Sequence, residues 1–141
     1  MAETPANKVA FELVSPERLL YSAAVDMVVV PGSEGDFGVL PGHSLYLSQI
    51  RPGVIDIYDK GAVTGRIFIA GGFAEATPER CTVLADSAMP IEDINREETE
   101  RMLKDAREDL ADAKEDAARS AAAHKVAVYE AMLAANAAFR S

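Results

Sequence analysis

The sequence predicts an α+β protein that is mainly β, an antiparallel β-sandwich or barrel followed by a C-terminal two-helix hairpin. Three observations carry this. All nine glycines lie between Gly32 and Gly72, and all seven prolines lie at or before Pro90. Residues 91–141 contain neither, and such a stretch reads only as long helix, because Gly and Pro are what interrupt helices. Within residues 1–90 turn signals recur about every 8–12 residues with no room for crossover helices. That excludes a parallel α/β sheet, whose strands need long connections. The domain limits expected are 1–90 for the β module and 91–141 for the helices.

Val9, Phe11 and Leu13 alternate with Ala10 and Glu12, the period of a half-buried strand that Pro16 ends. Leu19–Asp26 and Met27–Pro31 follow as two more strands. Met27-Val28-Val29-Val30 is apolar on both faces, which marks a central strand. Pro31–Gly42 packs four glycines and two prolines into tight turns around a short strand at Phe37–Leu40. Leu45–Ile50, Val54–Tyr58, Val63–Ala70, Phe73–Ala76 and Cys81–Asp86 complete the strands read from the residues.

Beyond Pro90, Asn95-Arg96-Glu97-Glu98 has the form of a capping box, an N-cap Asn with Glu three residues on. Leu103, Ala106, Leu110, Ala113 and Ala117 recur at spacings of three and four, a single apolar seam. Glu97–Arg101 and Glu100–Lys104 are favourable i,i+4 pairs on the outer face. A break near Arg119-Ser120 is expected, then a second helix with a broader apolar face through Val126, Val128, Tyr129, Met132, Leu133 and Phe139. The 14 alanines after residue 91 let two helices approach closely as an antiparallel pair. Alanine buries only about one methyl, worth ~0.8 kcal/mol, so the pair reads as a mobile element, with a permanently packed cap as the other reading of the same residues.

The net charge of −9 is spread over both regions: 11 acids and 6 bases in residues 1–91, 12 acids and 8 bases in residues 92–141. An acidic chain is a poor partner for nucleic acid or anionic lipid, so membrane association is expected only through protein partners. Cys81 is the sole cysteine, which excludes an internal disulfide and a cysteine metal cluster. It alternates with Val83 and Ala85 and reads as a small buried hydrophobe. The first residues lack a signal or transit pattern, and no apolar run approaches the ~18 residues of a membrane span, so a soluble chain is expected.

Several segments together are specific: Val30-Pro31-Gly32-Ser33-Glu34-Gly35-Asp36-Phe37-Gly38-Val39-Leu40-Pro41-Gly42-His43 with Arg51-Pro52-Gly53-Val54-Ile55, then Ala70-Gly71-Gly72-Phe73-Ala74-Glu75, and Thr82-Val83-Leu84-Ala85-Asp86-Ser87-Ala88. With the helical tail, their order and spacing resemble the epsilon subunit of the bacterial F-type rotary ATP synthase over nearly the whole chain. The resemblance implies a ten-stranded β-sandwich and a C-terminal two-helix domain. It implies a non-catalytic central-stalk part, beside the gamma subunit and on the polar loops of the membrane c-ring, that couples proton-driven rotation to ATP synthesis. It also implies a peripheral position on the cytoplasmic side of the bacterial inner membrane. The C-terminal helices of the family can reach toward the catalytic beta subunits and restrain ATP hydrolysis.

The turn-rich edge carries Glu34, Asp36, Phe37 and His43, an aromatic among polar groups, as a contact patch needs. Asp36 and His43 match the family's ring-facing acid and histidine. Solvated turn acids and a core-directed Phe37 are the plainer reading of the same residues. No cofactor or metal is implied. Family members that bind ATP carry Ile/Leu-Asp-x-x-Arg-Ala at the start of the first helix. Here that motif falls on Ile94-Asn95-Arg96-Glu97-Glu98-Thr99, with Asn95 in place of the acid and Glu98 in place of the arginine, so no nucleotide site is expected. Arg119, Lys125 and Arg140 are too sparse for a strong electrostatic latch, so inhibition of hydrolysis is expected to be weak at most.

Two other classes compete. An enzyme would need more than this chain offers: no HxH or HxxxH spacing exists, His124 sits in the Ala-rich tail, and Ser44 lacks a nucleophile-elbow context. A generic β-sandwich adaptor with a helical tail is the alternative. Capture of gamma and the ring subunit separates a rotor part from an adaptor.

Overall fold

The computed structural model describes residues 5–140, and within them ten strands precede two helices. The strands are β1 Val9–Val14, β2 Leu19–Val25, β3 Met27–Gly32, β4 Gly35–Val39, β5 Tyr46–Ile50, β6 Gly53–Asp59, β7 Ala62–Ile69, β8 Gly72–Ala76, β9 Arg80–Ala85 and β10 Ala88–Pro90. A 3-10 turn at Ile91–Asp93 leads to α1, Arg96–Asp112, and α2, Asp116–Arg140. The chain divides into two compact units between Pro90 and Ile91.

In the first unit one hydrogen-bonded sheet runs β10-β7-β6-β3-β5-β8-β9-β1-β2, with β4 added to β3, and closes as a sandwich around its inner face. Phe11, Leu13, Ile55, Ile57, Ile69 and Val83 are fully enclosed there with the valines of β3. Each such side chain contributes about 1.5–3 kcal/mol by leaving water. β3 is central, as its two-sided apolar run requires: Val28 lies opposite Val39 of β4 and Ile57 of β6.

Two features depart from the sequence reading. β1 and β9 pair in parallel, Phe11 opposite Cys81 and Leu13 opposite Val83, within an otherwise antiparallel sheet. No crossover helix is needed, because the whole meander between them serves as the connection. β10 is the tenth strand, three residues set against β7 with Met89 opposite Phe68. It is too short and too proline-bounded to show a period.

The β6–β7 hairpin turns at Lys60 and Gly61, φ 54° and 79°, the conformation of a tight two-residue turn. The Lys60 N–H donates to Asp26 Oδ2 at 2.7 Å, which anchors this non-glycine residue in the left-handed region. The Lys8 ammonium bridges Asp26 (2.6 Å) and Asp59 (2.5 Å), tying the start of β1 to the same turn.

In the second unit, one half of the expected capping box forms: Asn95 is extended and its Oδ1 accepts from the Glu98 N–H at 2.9 Å, while among the described residues the Glu98 carboxylate makes no bond back to the Asn95 N–H. The break between helices falls at Ala113–Glu115, six residues before the expected Arg119-Ser120. Arg119 accounts for the shift. Its Nη1 donates to the carbonyls of Ala113 (3.1 Å) and Leu110 (3.5 Å), which supplies partners to the otherwise open end of α1. The seam is correspondingly shorter than its spacing suggests. Leu103 and Ala106 are buried and Leu110 half-buried, whereas Ala117 is exposed on α2. Glu100 pairs back to Arg96 at 3.1 Å rather than forward to Lys104.

The face of α2 is carried by Ala122, Met132, Ala135 and Asn136, all buried. Asn136 Nδ2 donates to the Ile94 carbonyl at 3.5 Å, satisfying a polar group that burial would otherwise penalise. Phe139, expected on that apolar face, is 45% exposed, and the Arg140 side chain lies outside the described residues.

Candidate functional site

The β3–β4 hairpin places Glu34, Asp36 and Phe37, and the loop from β4 to β5 places His43. Gly32 opposes Gly35, so Ser33 and Glu34 form the turn itself. Gly32 admits no side chain: a Cβ there would lie 2.7 Å from the Gly35 carbonyl oxygen and 3.0 Å from the Phe37 ring. Glu34 is exposed at the tip and makes no hydrogen bond or ion pair among the described residues.

Asp36 follows on β4, opposite Pro31. Its Oδ1 accepts from Arg51 Nη2 at 2.5 Å, while Arg51 Nη1 donates to the Gly32 carbonyl at 2.5 Å. The Arg51 backbone N–H also donates to the Pro31 carbonyl, at 3.0 Å. Arg51 thus holds both strands of the hairpin at its neck.

Phe37 and His43 are half-buried rather than fully presented. Phe37 opposes Val30 and leans on the core, because its position on β4 points inward with Val39. Its ring meets Tyr46 edge-on at 5.0 Å, and His43 lies 6.4 Å from the same tyrosine. His43 Nδ1–H donates to the Ser44 carbonyl at 2.6 Å, which leaves Nε2 as the ring's other nitrogen for a partner. The loop is pinned by the Gly42 N–H, which donates to the Pro78 carbonyl at 2.8 Å. The structure therefore joins Phe37 and His43 through Tyr46, joins Asp36 to Arg51, and leaves Glu34 apart.

Sequence reasoning missed a second surface. On the outer face of the sheet Phe73 lies opposite Leu84, Leu84 opposite Val14, and Val14 opposite Leu19. These four form an apolar row crossing β8, β9, β1 and β2. Phe73, Leu84 and Leu19 are 49%, 55% and 55% exposed, and Leu47 beside Phe73 is 69% exposed. Leu47, Phe73 and Leu84 line one shallow depression with Glu75 and Thr82. The next row runs Leu47, Glu75, Thr82 and Glu12, polar beyond Leu47, and Glu12 pairs with Arg80 at 3.2 Å. A clustered apolar row rimmed by polar groups marks a protein interface. The signal was in the sequence as alternation, yet strands that are apolar on both faces do not say which face stays wet.

At the start of α1, Asn95 and Glu98 make the cap described above, and Thr99 Oγ1 donates to the Asn95 carbonyl at 2.6 Å. Asn95 and Thr99 thus serve the helix start itself. Among the described residues no three His, Cys, Asp or Glu side chains gather as a metal site, and no helix is long and apolar enough to cross a membrane.

Residues 8–91 match the family model described as ATP synthase, Delta/Epsilon chain, beta-sandwich domain, and residues 95–139 match the model for the C-terminal domain of the ATP synthase epsilon chain. The chain is 52% identical over 135 residues to the ATP synthase epsilon chain of Rhodospirillum rubrum, covering 96% of this chain and 98% of that one. It is 54% identical over 129 residues to the epsilon chain of Maricaulis maris, covering 92% and 96%. Among solved structures, a chain of the Euglena gracilis mitochondrial ATP synthase (OSCP/F1/c-ring, rotational state 1) superposes with a TM-score of 0.78 at 25% identity, over 95% of this chain and 84% of that one. A chain of the Tetrahymena thermophila mitochondrial ATP synthase central stalk and c-ring shares the fold, with a TM-score of 0.71 at 15% identity, over 96% and 99%. With family models covering both units and relatives aligned almost end to end, this chain belongs to the ATP synthase epsilon chain family.

Proposed function

We propose that the chain is a non-catalytic central-stalk subunit of a proton-driven ATP synthase, passing rotation of the c-ring through gamma to the catalytic head. The observation that carries this reading is a β unit with two different exposed surfaces, a polar hairpin tip and an apolar row across β8, β9, β1 and β2. A part that transmits torque must grip two partners at once. The tip, with Glu34 and Asp36, and the β4–β5 loop, with His43, suit the polar loops of the ring. The apolar row, which needs a partner that excludes water, suits gamma. Phe37 supports the tip from inside through Tyr46.

The β unit up to Pro90 is the docking part, and the helical pair from Ile91 is the regulatory part, facing the catalytic beta subunits when it acts. Asn95 caps the helix, and Glu98 puts an acid where the ATP-binding members carry arginine, which supports reading the helix start as a structural terminus. The complex places the chain peripherally at the cytoplasmic face of a bacterial inner membrane, held there by its partners.

Reconstitution with gamma and the ring tests the assignment. Leu84→Asp puts a charge at the centre of the apolar row, on a side chain already 55% exposed, so the domain should keep its melting temperature. Binding to gamma should weaken at least tenfold, as expected for a residue at the desolvated centre of an interface. Unchanged gamma binding by a folded Leu84→Asp variant would remove the row from the gamma surface.

A further inference from the structure

We propose that an extended segment of gamma adds to β2 as a further strand of this sheet, at the one sheet end that the fold leaves unprotected. This deepens the reading of the apolar row as the gamma surface and rests on it: the row ends on Leu19, the first residue of β2.

The sheet has two ends, β10 and β2. β10 is three residues long and closes on Pro90, two devices that keep an edge from recruiting another chain. β2 has neither. Its seven residues, Leu-Leu-Tyr-Ser-Ala-Ala-Val, carry no charge, no proline and no glycine. Register decides which of its backbone groups are open. The Ala10 N–H donates to the Glu79 carbonyl, so Ala10 and Glu12 turn their backbone groups toward β9, and Phe11 turns toward β2. Ala23 is thus the bonded partner of Phe11, whereas Ser22 and Ala24, opposite Glu12 and Ala10, direct N–H and carbonyl away from β1. Both residues are exposed, and among the described residues no further strand lies beyond them. Beside this edge is a depression of about 250 Å³, lined by Leu20 and Tyr21 of β2 and by Ile67 and Met89 of β7 and β10. Arg18 lines it as well, and its guanidinium pairs with no carboxylate among the described residues. A strand laid along β2 would bond to the backbone of Ser22 and Ala24 and turn an apolar side chain into the depression, with an acid within reach of Arg18. In such strand addition the main chain supplies affinity and the pocket selects the segment.

Residue-resolved hydrogen exchange tests this, because it reads the backbone rather than the side chains. In the full-length chain alone, the Ser22 and Ala24 amides should exchange fast and those of Tyr21 and Ala23 slowly. In the complex with purified gamma, Ser22 and Ala24 should slow by about tenfold or more. Ser22→Pro removes one outward N–H and, at an edge position, breaks no bond to β1. It should melt near the wild type and bind gamma about five- to tenfold more weakly, whereas Ser22→Ala, which keeps the N–H, should bind as the wild type does. Should Ser22→Pro fail to fold, the exchange pattern of the wild type decides alone. The inference is overturned if gamma is bound, with the loss expected for Leu84→Asp, yet Ser22 and Ala24 exchange as fast as in the free chain. The apolar row would then remain the gamma surface without an added strand. Slow exchange in the free chain that grows with protein concentration would give the edge to a second copy and overturn the inference too. A wild-type chain that does not bind gamma at all would overturn the rotor reading and the inference with it.

Discussion

Cys81 alternates with Val83 and Ala85, and the structure encloses it completely, opposite Phe11 on β1. Burial pushes its thiol up from an ordinary 9.0 to about 12, because the thiolate would have no water around it. Between those two values the folded chain keeps a proton that the unfolded chain releases. Stability should therefore be at its full value below pH 9 and fall by about 1.4 kcal/mol per pH unit as pH rises toward 12. Comparing denaturant midpoints of wild type and Cys81→Ala across that range checks this: the alanine variant should lack the thiol's share of the alkaline loss. Parallel curves for the two proteins would contradict it. Arg51 is the opposite case. Nothing in its neighbourhood of sequence announces that it will meet Asp36, fifteen positions earlier, since the meeting depends on Gly32 of β3 pairing with Ile50 of β5.

The start of α1 was readable because capping is local chemistry: an Asn side chain and an N–H three residues on share one turn of the backbone. Asn95→Ala removes that acceptor and should cost about 1 kcal/mol, read as earlier loss of helical circular dichroism on denaturant titration. Asn95→Asp should preserve most of the stability, and equal loss in both variants would mean that the cap contributes nothing. The end of α1 was not readable. No Gly or Pro marks Ala113–Glu115, and the carbonyls there are satisfied by Arg119 folding back from the next helix. A helix end made by a distant cation leaves the local composition helix-like throughout, so the expected break moved six residues too late.

The chain divides between Pro90 and Ile91, and the inner face of the sheet is filled by residues of the β unit itself. A chain truncated after Pro90 should therefore fold cooperatively and bind gamma with the affinity of the full chain, because both proposed contact surfaces precede the cut. Calorimetric melting and a gamma titration check this. A truncated protein that melts as sharply as the full one yet fails to bind gamma would move the docking surface into the helices.

Composition and periodicity were enough for the class of the fold, for the central place of β3 and for the burial of Cys81. Those follow from φ preferences of Gly and Pro and from alternation along single strands, which act over a few residues. They were also enough to find the turn-rich hairpin where Glu34, Asp36 and Phe37 stand, and the loop after it that carries His43. What required the folded chain was everything set by pairing between distant segments. The parallel contact of β1 with β9 joins Ala10 to Arg80, and only closure of the sheet on itself brings them together. The apolar row exists because Phe73, Leu84, Val14 and Leu19 fall in register on four strands and on the wet side of the sheet. The pairing of Asp36 with Arg51 is likewise a product of register. Local propensity decides what each segment is, whereas strand register decides which side chains become neighbours, and a surface made for partners is a set of neighbours.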